Sequence, residues 1–259
     1  MSNIAQAFAH GKAFIPFITC GDPDLDTTAA LVKGMADAGA DLIELGIPFS
    51  DPTAEGPVIQ EANLRALQGG VTTDKIISMV RTLRKTVKIP LVFMTYANVV
   101  FSYGSERFIR TCAELGMDGL ILPDVPYEEK EEFRPLCQQY GLDLISMIAP
   151  TSEDRIAMIA REASGFIYIV SSLGVTGERS QISTDINPLT EAIRKVSQTP
   201  CAVGFGISTP EQARTMAAQA DGAIVGSAIV RQIARYGKDA LPPVTEFVRE
   251  MKQAVRSLS

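Results

Sequence analysis

The sequence predicts an α/β protein folded as a single (β/α)8 (TIM) barrel over residues 1–259, with a short helix before the first strand and an extra helix after the last. Three observations carry the prediction. Eight short runs rich in Val, Ile, Leu and Phe recur along the chain, at residues 14–19, 42–47, 91–96, 119–124, 143–149, 166–171, 201–206 and 222–227. Each run is apolar throughout rather than at every second position, as parallel strands covered on both faces are. Helix-period patterns lie between the runs, and no linker or low-complexity tract interrupts the alternation, which suits a closed barrel; an open doubly wound sheet is the lesser alternative.

Taken in order, the first run leads into the turn Gly21-Asp22-Pro23, and the second carries Glu44 inside Leu42-Ile43-Glu44-Leu45-Gly46. A proline- and glycine-punctuated loop follows at residues 48–57. Ile76, Val80, Leu83 and Val87 then mark a helix before the third run, and Phe108, Cys112 and Leu115 mark one before the fourth. Ile156, Ile159 and Ala163 separate the fifth run from the sixth, and Leu189, Ile193 and Val196 separate the sixth from the seventh. The last interval opens on Thr209-Pro210-Glu211-Gln212, a cap hydroxyl, a proline at the first helical position and Gln three residues after the cap.

Composition narrows the chemistry. The chain has 259 residues, of which 46% are hydrophobic and 21% charged, and at this length roughly 75% of the unfolded surface can be buried without help from disulfides or a structural metal. A formal charge of −6 disfavours nucleic acid or an anionic membrane as the main partner. No apolar run approaches the ~18 residues a membrane helix needs, and residues 13–20 lack the basic start of a signal peptide, so the expected location is the cytoplasm. The four cysteines, Cys20, Cys112, Cys137 and Cys201, are widely spaced and read as buried thiols. A single histidine, His10, rules out a His-rich metal site and reads as a surface residue on the N-terminal helix.

In a barrel the chemistry sits at the C-terminal ends of the strands. Glu44 stands out there, because a buried carboxylate is costly unless it is paired, protonated or functional. A neighbouring hydroxyl such as Tyr96 or Tyr168 could satisfy it. The loop after the second run adds Asp51 and Glu55, which fit a solvated turn equally well. The three last loops are different: Gly174-Val175-Thr176-Gly177, Gly204-Phe205-Gly206 and Gly226-Ser227 let backbone N–H groups approach a phosphate, and Ser227 opens a helix. No run contains Lys, so a Schiff-base aldolase has no nucleophile at the strand ends. Carbon–carbon cleavage would then need a substrate with its own electron sink, and two carboxyl groups would suffice to move the protons.

At these residues the sequence resembles the alpha subunit of tryptophan synthase, from about Phe14 to the C-terminal helix. The resemblance rests on Phe14-Ile15-Pro16-Phe17-Ile18-Thr19 with Gly21-Asp22-Pro23, on Glu44-Leu45-Gly46-Ile47-Pro48-Phe49-Ser50-Asp51-Pro52, and on Gln60-Glu61-Ala62-Asn63-Leu64-Arg65. Tyr96-Ala97-Asn98, Asp124-Val125-Pro126, the Gly174 to Gly177 loop, Gly204-Phe205-Gly206-Ile207-Ser208 and Gly226-Ser227-Ala228-Ile229-Val230 complete it. It implies cleavage of indole-3-glycerol phosphate to indole and glyceraldehyde 3-phosphate. This chain would carry no cofactor, and indole would pass to a pyridoxal-phosphate-dependent beta subunit in an alpha2beta2 assembly.

The resemblance makes Glu44 and Glu55 catalytic, with Glu55 standing where the family's loop reads Ala-Asp-Gly-Pro. Phosphate contacts fall on Gly177, Gly206, Gly226 and Ser227, and the indole pocket on Phe17, Ile59, Tyr96, Ile121, Phe205 and Ile224, with Tyr168 beside Glu44. Thr176 is expected to hold the second carboxylate when its loop closes. That loop lacks the arginine that precedes Gly-Val-Thr-Gly in the family and reads Ser171-Ser172-Leu173. Asp51, Pro52, Asn98 and Pro126 are implied to face the beta subunit, and Asp124 to steady the loops. Three readings follow: a beta-dependent lyase subunit, a free-standing lyase, or a non-catalytic phosphate-binding barrel that activates a partner. Glu44 and Glu55 argue against the third, and Asp51-Pro52 favours the first over the second.

Overall fold

The computed structural model describes residues 2–170, 185–204 and 206–257. Its strands are β1 (Ala13–Thr19), β2 (Ile43–Gly46), β3 (Leu91–Met94), β4 (Gly119–Ile121), β5 (Asp143–Leu144), β6 (Ser146–Ile148), β7 (Ile167–Val170), β8 (Cys201–Gly204) and β9 (Gly222–Val225). Helices α1 (Ile4–Ala7), α2 (Leu25–Asp37), α3 (Pro57–Gln68), α4 (Thr73–Leu83), α5 (Ala97–Tyr103) and α6 (Ser105–Glu114) accompany the first half. In the second half are α7 (Arg134–Tyr140), α8 (Glu153–Arg161), α9 (Asn187–Arg194), α10 (Pro210–Ala218), α11 (Ser227–Tyr236) and α12 (Leu241–Arg256).

The strands make one sheet in the order β5-β4-β3-β2-β1-β9-β8-β7-β6, with every neighbouring pair parallel. The two ends of that order are consecutive in the chain. Asp143 and Leu144 pair with β4, Ile145 donates its N–H to the Leu120 carbonyl at 2.9 Å, and Ser146 to Ile148 pair with β7. One stretch therefore changes partner at Ile145 and closes the barrel. The fifth predicted run is two short strands, and each of the other seven holds one strand.

Continuous apolarity in the runs has its cause in two separate cores. Ile15, Phe17, Leu42, Val92, Ile121, Phe166, Tyr168, Ala202 and Ile224 point into the barrel and pack together. Phe14, Ile18, Ile43, Leu45, Phe93, Leu120, Ile167, Ile169, Val203 and Ala223, the alternate positions, pack outward under the helices. Both faces of each strand are thus dry, so period-two alternation is absent. The predicted helices form, but Val87, Leu115, Ala163 and Val196 lie beyond the ends of α4, α6, α8 and α9. In the short return turns they still lie over the sheet, and Val87 is buried. Thr209 caps α10 as expected, its hydroxyl accepting from the Gln212 N–H at 3.2 Å. His10 is exposed, in the turn after α1 rather than on it. All four cysteines are buried and free. No helix among the described residues is long and apolar enough to cross a membrane.

At the N-terminal end of the barrel, three aspartates close gaps between strands. Asp41 accepts from the Phe14 N–H at 2.6 Å and pairs with Lys252 on α12 at 2.7 Å. Asp118 accepts from the Leu91 N–H at 2.9 Å and pairs with Arg84 at 2.6 Å. Asp221 accepts from the Cys201 N–H at 2.8 Å and pairs with Arg194. Each carboxylate ties one strand's start to its neighbour, a stabilising role typical of this face. On the outside, α7 and α8 stand apart over the fifth strand and leave a groove of about 790 Å³ lined by Leu144, Ser146, Met147, Arg134, Arg155 and Glu162.

Candidate active site

Glu44 lies at the centre of β2 in register with Phe17 on β1 and Val92 on β3, so its side chain joins the inward layer of the barrel. It is 1% exposed, and its Oε1 has no hydrogen-bond partner among the described residues. Burial without a counter-charge pushes its carboxyl up to about 8, so Glu44 holds a proton at neutral pH. Of the alternatives open in the sequence, the protonated one describes it.

Glu55 precedes α3 directly, with Gly56 as the cap residue and Pro57 in the first turn. It too is buried. The Tyr96 hydroxyl donates to its Oε2 and itself accepts from the Ala54 N–H at 3.0 Å, while Gln60 Nε2 donates to the Glu55 carbonyl at 2.7 Å. Burial, joined by the charge of Asp124, raises Glu55 to about 7. The two carboxyl groups therefore differ in the useful order: near pH 7.5 Glu44 is mostly an acid and Glu55 mostly a base.

Both face one small cavity, about 30 Å³, whose wall includes Phe17, Ile59, Met94, Tyr168, Ile224, Gly206, Gly226 and Ser227. Tyr168 comes from β7, across the barrel, and burial, joined by the neighbouring carboxyl groups whenever they ionise, holds its phenol protonated. Its ring fits because Gly204 lacks a side chain: a Cβ there would lie 2.5 Å from the Tyr168 hydroxyl. On the opposite wall Gly226 caps α11, which begins at Ser227 and has no side-chain cap on its first turn. Gly206 has φ 81°. A backbone of this kind, open at a helix N-terminus, suits a phosphate.

The structure thus gathers Glu44, Glu55, Phe17, Ile59, Tyr168, Gly206, Ile224, Gly226 and Ser227 around one space. Two expected pocket residues fall elsewhere. Tyr96 is not on the wall, because its hydroxyl is engaged by Glu55 and Ala54, and Ile121 is fully buried in the interior core behind it. Thr176, Gly177 and Phe205 lie outside the described residues. Met94 and Ile207 line the cavity without having been singled out. Met94 was reachable, since it shares a register position with Gly46 and Ile121. Asp51, Asn98 and Pro126 are exposed and Pro52 half-buried, with Asp51, Pro52 and Pro126 on the loops after β2 and β4 and Asn98 in the first turn of α5 after β3, three neighbours in the sheet. Asp124 accepts from the Ala97 N–H at 3.1 Å and so steadies the start of α5.

The larger groove over the fifth strand offers less chemistry. Its cations are already paired, Lys130 with Glu162 at 2.6 Å, Arg134 with Glu162 at 2.9 Å and Arg155 with Glu128 at 2.5 Å. Among the described residues there is no group of three or more His, Cys, Asp or Glu placed to hold a metal.

A closed parallel barrel whose C-terminal face holds a cavity with two buried carboxyl groups has the architecture of the TIM-barrel enzymes. The family described as Tryptophan synthase alpha chain matches residues 4–256. A tryptophan synthase alpha chain from Lacticaseibacillus casei is 48% identical over 255 residues, covering 98% of this chain and 96% of that one. Tryptophan synthase subunit alpha from Legionella pneumophila superposes with a TM-score of 0.88 at 36% identity over 99% of each chain. A chain of the tryptophan synthase complex from Pyrococcus furiosus does so with a TM-score of 0.84 at 32% identity, covering 94% of this chain and 99% of that one. The chain belongs to the tryptophan synthase alpha chain family.

Proposed function

We propose that this chain is the alpha subunit of a tryptophan synthase and cleaves indole-3-glycerol phosphate to indole and glyceraldehyde 3-phosphate, a lyase step of tryptophan biosynthesis in the cytoplasm. The observation that carries the reading is the pair of buried carboxyl groups, Glu44 raised to about 8 and Glu55 to about 7, on one cavity. Glu44 delivers its proton to indole C3, and the ring becomes an iminium-like electron sink. The bond from C3 to the glycerol side chain then breaks with its electrons returning to the ring, while Glu55 takes the proton of the hydroxyl that becomes the aldehyde. Protons balance between the two carboxyl groups, so the step needs neither a lysine nor a cofactor in this chain. Gly206, Gly226 and Ser227, joined by Gly177, hold the phosphate. Phe17, Ile59 and Ile224 enclose the indole, and Thr176 is the proposed partner of Glu55.

Indole passes to a beta subunit, whose pyridoxal phosphate supports condensation with serine, in an alpha2beta2 assembly. The contiguous rim of Asp51, Pro52, Asn98 and Pro126 is the face offered to it. One observation favours a free-standing lyase: Tyr96 and Gln60 of this same chain seat Glu55. Measuring indole release from indole-3-glycerol phosphate with and without a beta subunit tests both. No indole under either condition refutes the lyase, and full activity of the isolated chain selects the free-standing form.

A further inference from the structure

Two sequence stretches, Gly21-Asp22-Pro23 and Glu61 to Arg65, have so far received no role. The structure brings them together at the far end of the helix that follows Glu55. Asp22 is 2% exposed, and its carboxylate accepts Arg65 Nε at 2.8 Å and Nη2 at 2.8 Å, a two-pronged ion pair between the β1 loop and α3. The loop itself is held to α2, with the Gly21 N–H donating to Thr28 Oγ1 at 2.9 Å and the Thr27 N–H to Asp24 Oδ1 at 2.7 Å. It also presses on the chain just past α3: a Cβ on Gly21, at φ 89°, would lie 2.3 Å from Val71 Cγ2. Two independent contacts therefore clamp the C-terminal end of α3 to the loop that continues Phe17's strand.

We infer that Asp22 and Arg65 are positioning residues for the lyase reaction, holding α3 as a rigid arm that sets the height of the Glu55 carboxyl over the cavity. The inference rests on the catalytic role proposed for Glu55. Pro57 and Arg65 are separated by about 12 Å of helix. A tilt of only about 5° at the clamp thus shifts the Glu55 end by about 1 Å, a displacement that can cost roughly 100-fold in rate. Ile59, on the same helix, lines the cavity, so one arm sets both a wall residue and the second carboxyl. An ordinary stabilising ion pair would have no reason to act on turnover.

The test is the paired variant Asp22→Asn/Arg65→Met, which breaks the clamp without leaving a buried charge. Its kcat for indole release falls about 10–100-fold while KM stays within about twofold. Arg65→Lys, which keeps the charge but loses the fork, recovers part of the loss, and it is read in the same way if the paired variant does not fold. In a Glu55→Gln background the paired change lowers kcat by less than about twofold, because there is no longer a base to misplace. Wild-type kcat in the folded paired variant, or an equal further loss in the Glu55→Gln background, overturns the positioning role while leaving Glu55's role intact. Wild-type kcat in Glu55→Gln alone overturns Glu55 itself, and the clamp with it.

Discussion

Replacing Glu44 by Gln removes the acid and keeps the shape, and two opposite effects follow from one buried carboxyl. Its folded value of about 8 against an ordinary 4.5 is worth about 5 kcal/mol at about 1.4 kcal/mol per unit, as an upper bound. The folded protein holds this proton more tightly than the unfolded chain does, so between pH 4.5 and 8 folding is progressively weakened as pH rises. Gln does not titrate. Its amide brings two N–H donors where the protonated carboxyl brings one, into a site that satisfies Oε1 no better, a pH-independent cost of about 1–3 kcal/mol. Glu55, raised to about 7, titrates in the same window but is common to both proteins and drops out of the comparison. Glu44→Gln is therefore less stable than wild type at pH 5 and more stable at pH 9, while its indole release falls by ~10²–10⁴. Urea denaturation at pH 5, 7 and 9 beside steady-state indole release measures both. Parallel stability curves for the two proteins, or wild-type turnover in Glu44→Gln, would refute the assignment of a protonated, catalytic Glu44.

The remaining expectations concern the second carboxyl, the phosphate and the partner. Glu55→Ala is severely impaired and Glu55→Asp retains substantial activity; wild-type turnover in Glu55→Ala would move the base to another acid, Asp124 being the first to examine. The pH profile of kcat/KM is bell-shaped, its acid limb near 7 from ionising Glu55 and its alkaline limb near 8 from deprotonating Glu44, and a flat profile from pH 6 to 9 would contradict the pairing. Phosphate or sulfate in a crystal sits against Gly206, Gly226 and Ser227, and Gly206→Leu raises KM by filling that place and straining a position at φ 81°. Activity rises about 5–150-fold to a plateau with added beta subunit, with a weaker response in Asp51→Ala. An unchanged response in that variant would remove Asp51 from the interface.

The strands were legible because burial on both faces leaves an unbroken apolar run, and Glu44 was legible because it is a charge with apolar neighbours on both sides within such a run. Tyr96 was harder. A tyrosine at the end of a strand suits an indole wall as well as a hydroxyl clamp, and only the position of Ala54 and Glu55 opposite it decides for the clamp. The Asp22–Arg65 pair spans 43 positions, so nothing local in either stretch announces the other. The change of partner at Ile145 left no mark either, since strands β5 and β6 share the same continuous hydrophobicity. The proline and glycine punctuation of the loop before α3 fits a solvated turn, whereas burial and three hydrogen bonds at Ala54, Glu55 and Gln60 give Glu55 a defined seat.

That change of partner gives the barrel a seam. Every other strand is laced on both sides, but on either side of Ile145 the chain is hydrogen-bonded to one neighbour only, through two residues toward β4 and three toward β7. The groove between α7 and α8 leaves the same segment half-covered. A cylinder pulled or heated parts where the chain is stitched on one side only. The first sub-global opening should therefore run lengthwise along the fifth strand, with amide hydrogens of Leu144 and Met147 exchanging ahead of those of Ile15 or Val203. The half-barrel from β1 to β4, with Glu44 and Glu55, would stay assembled while the far wall unzips.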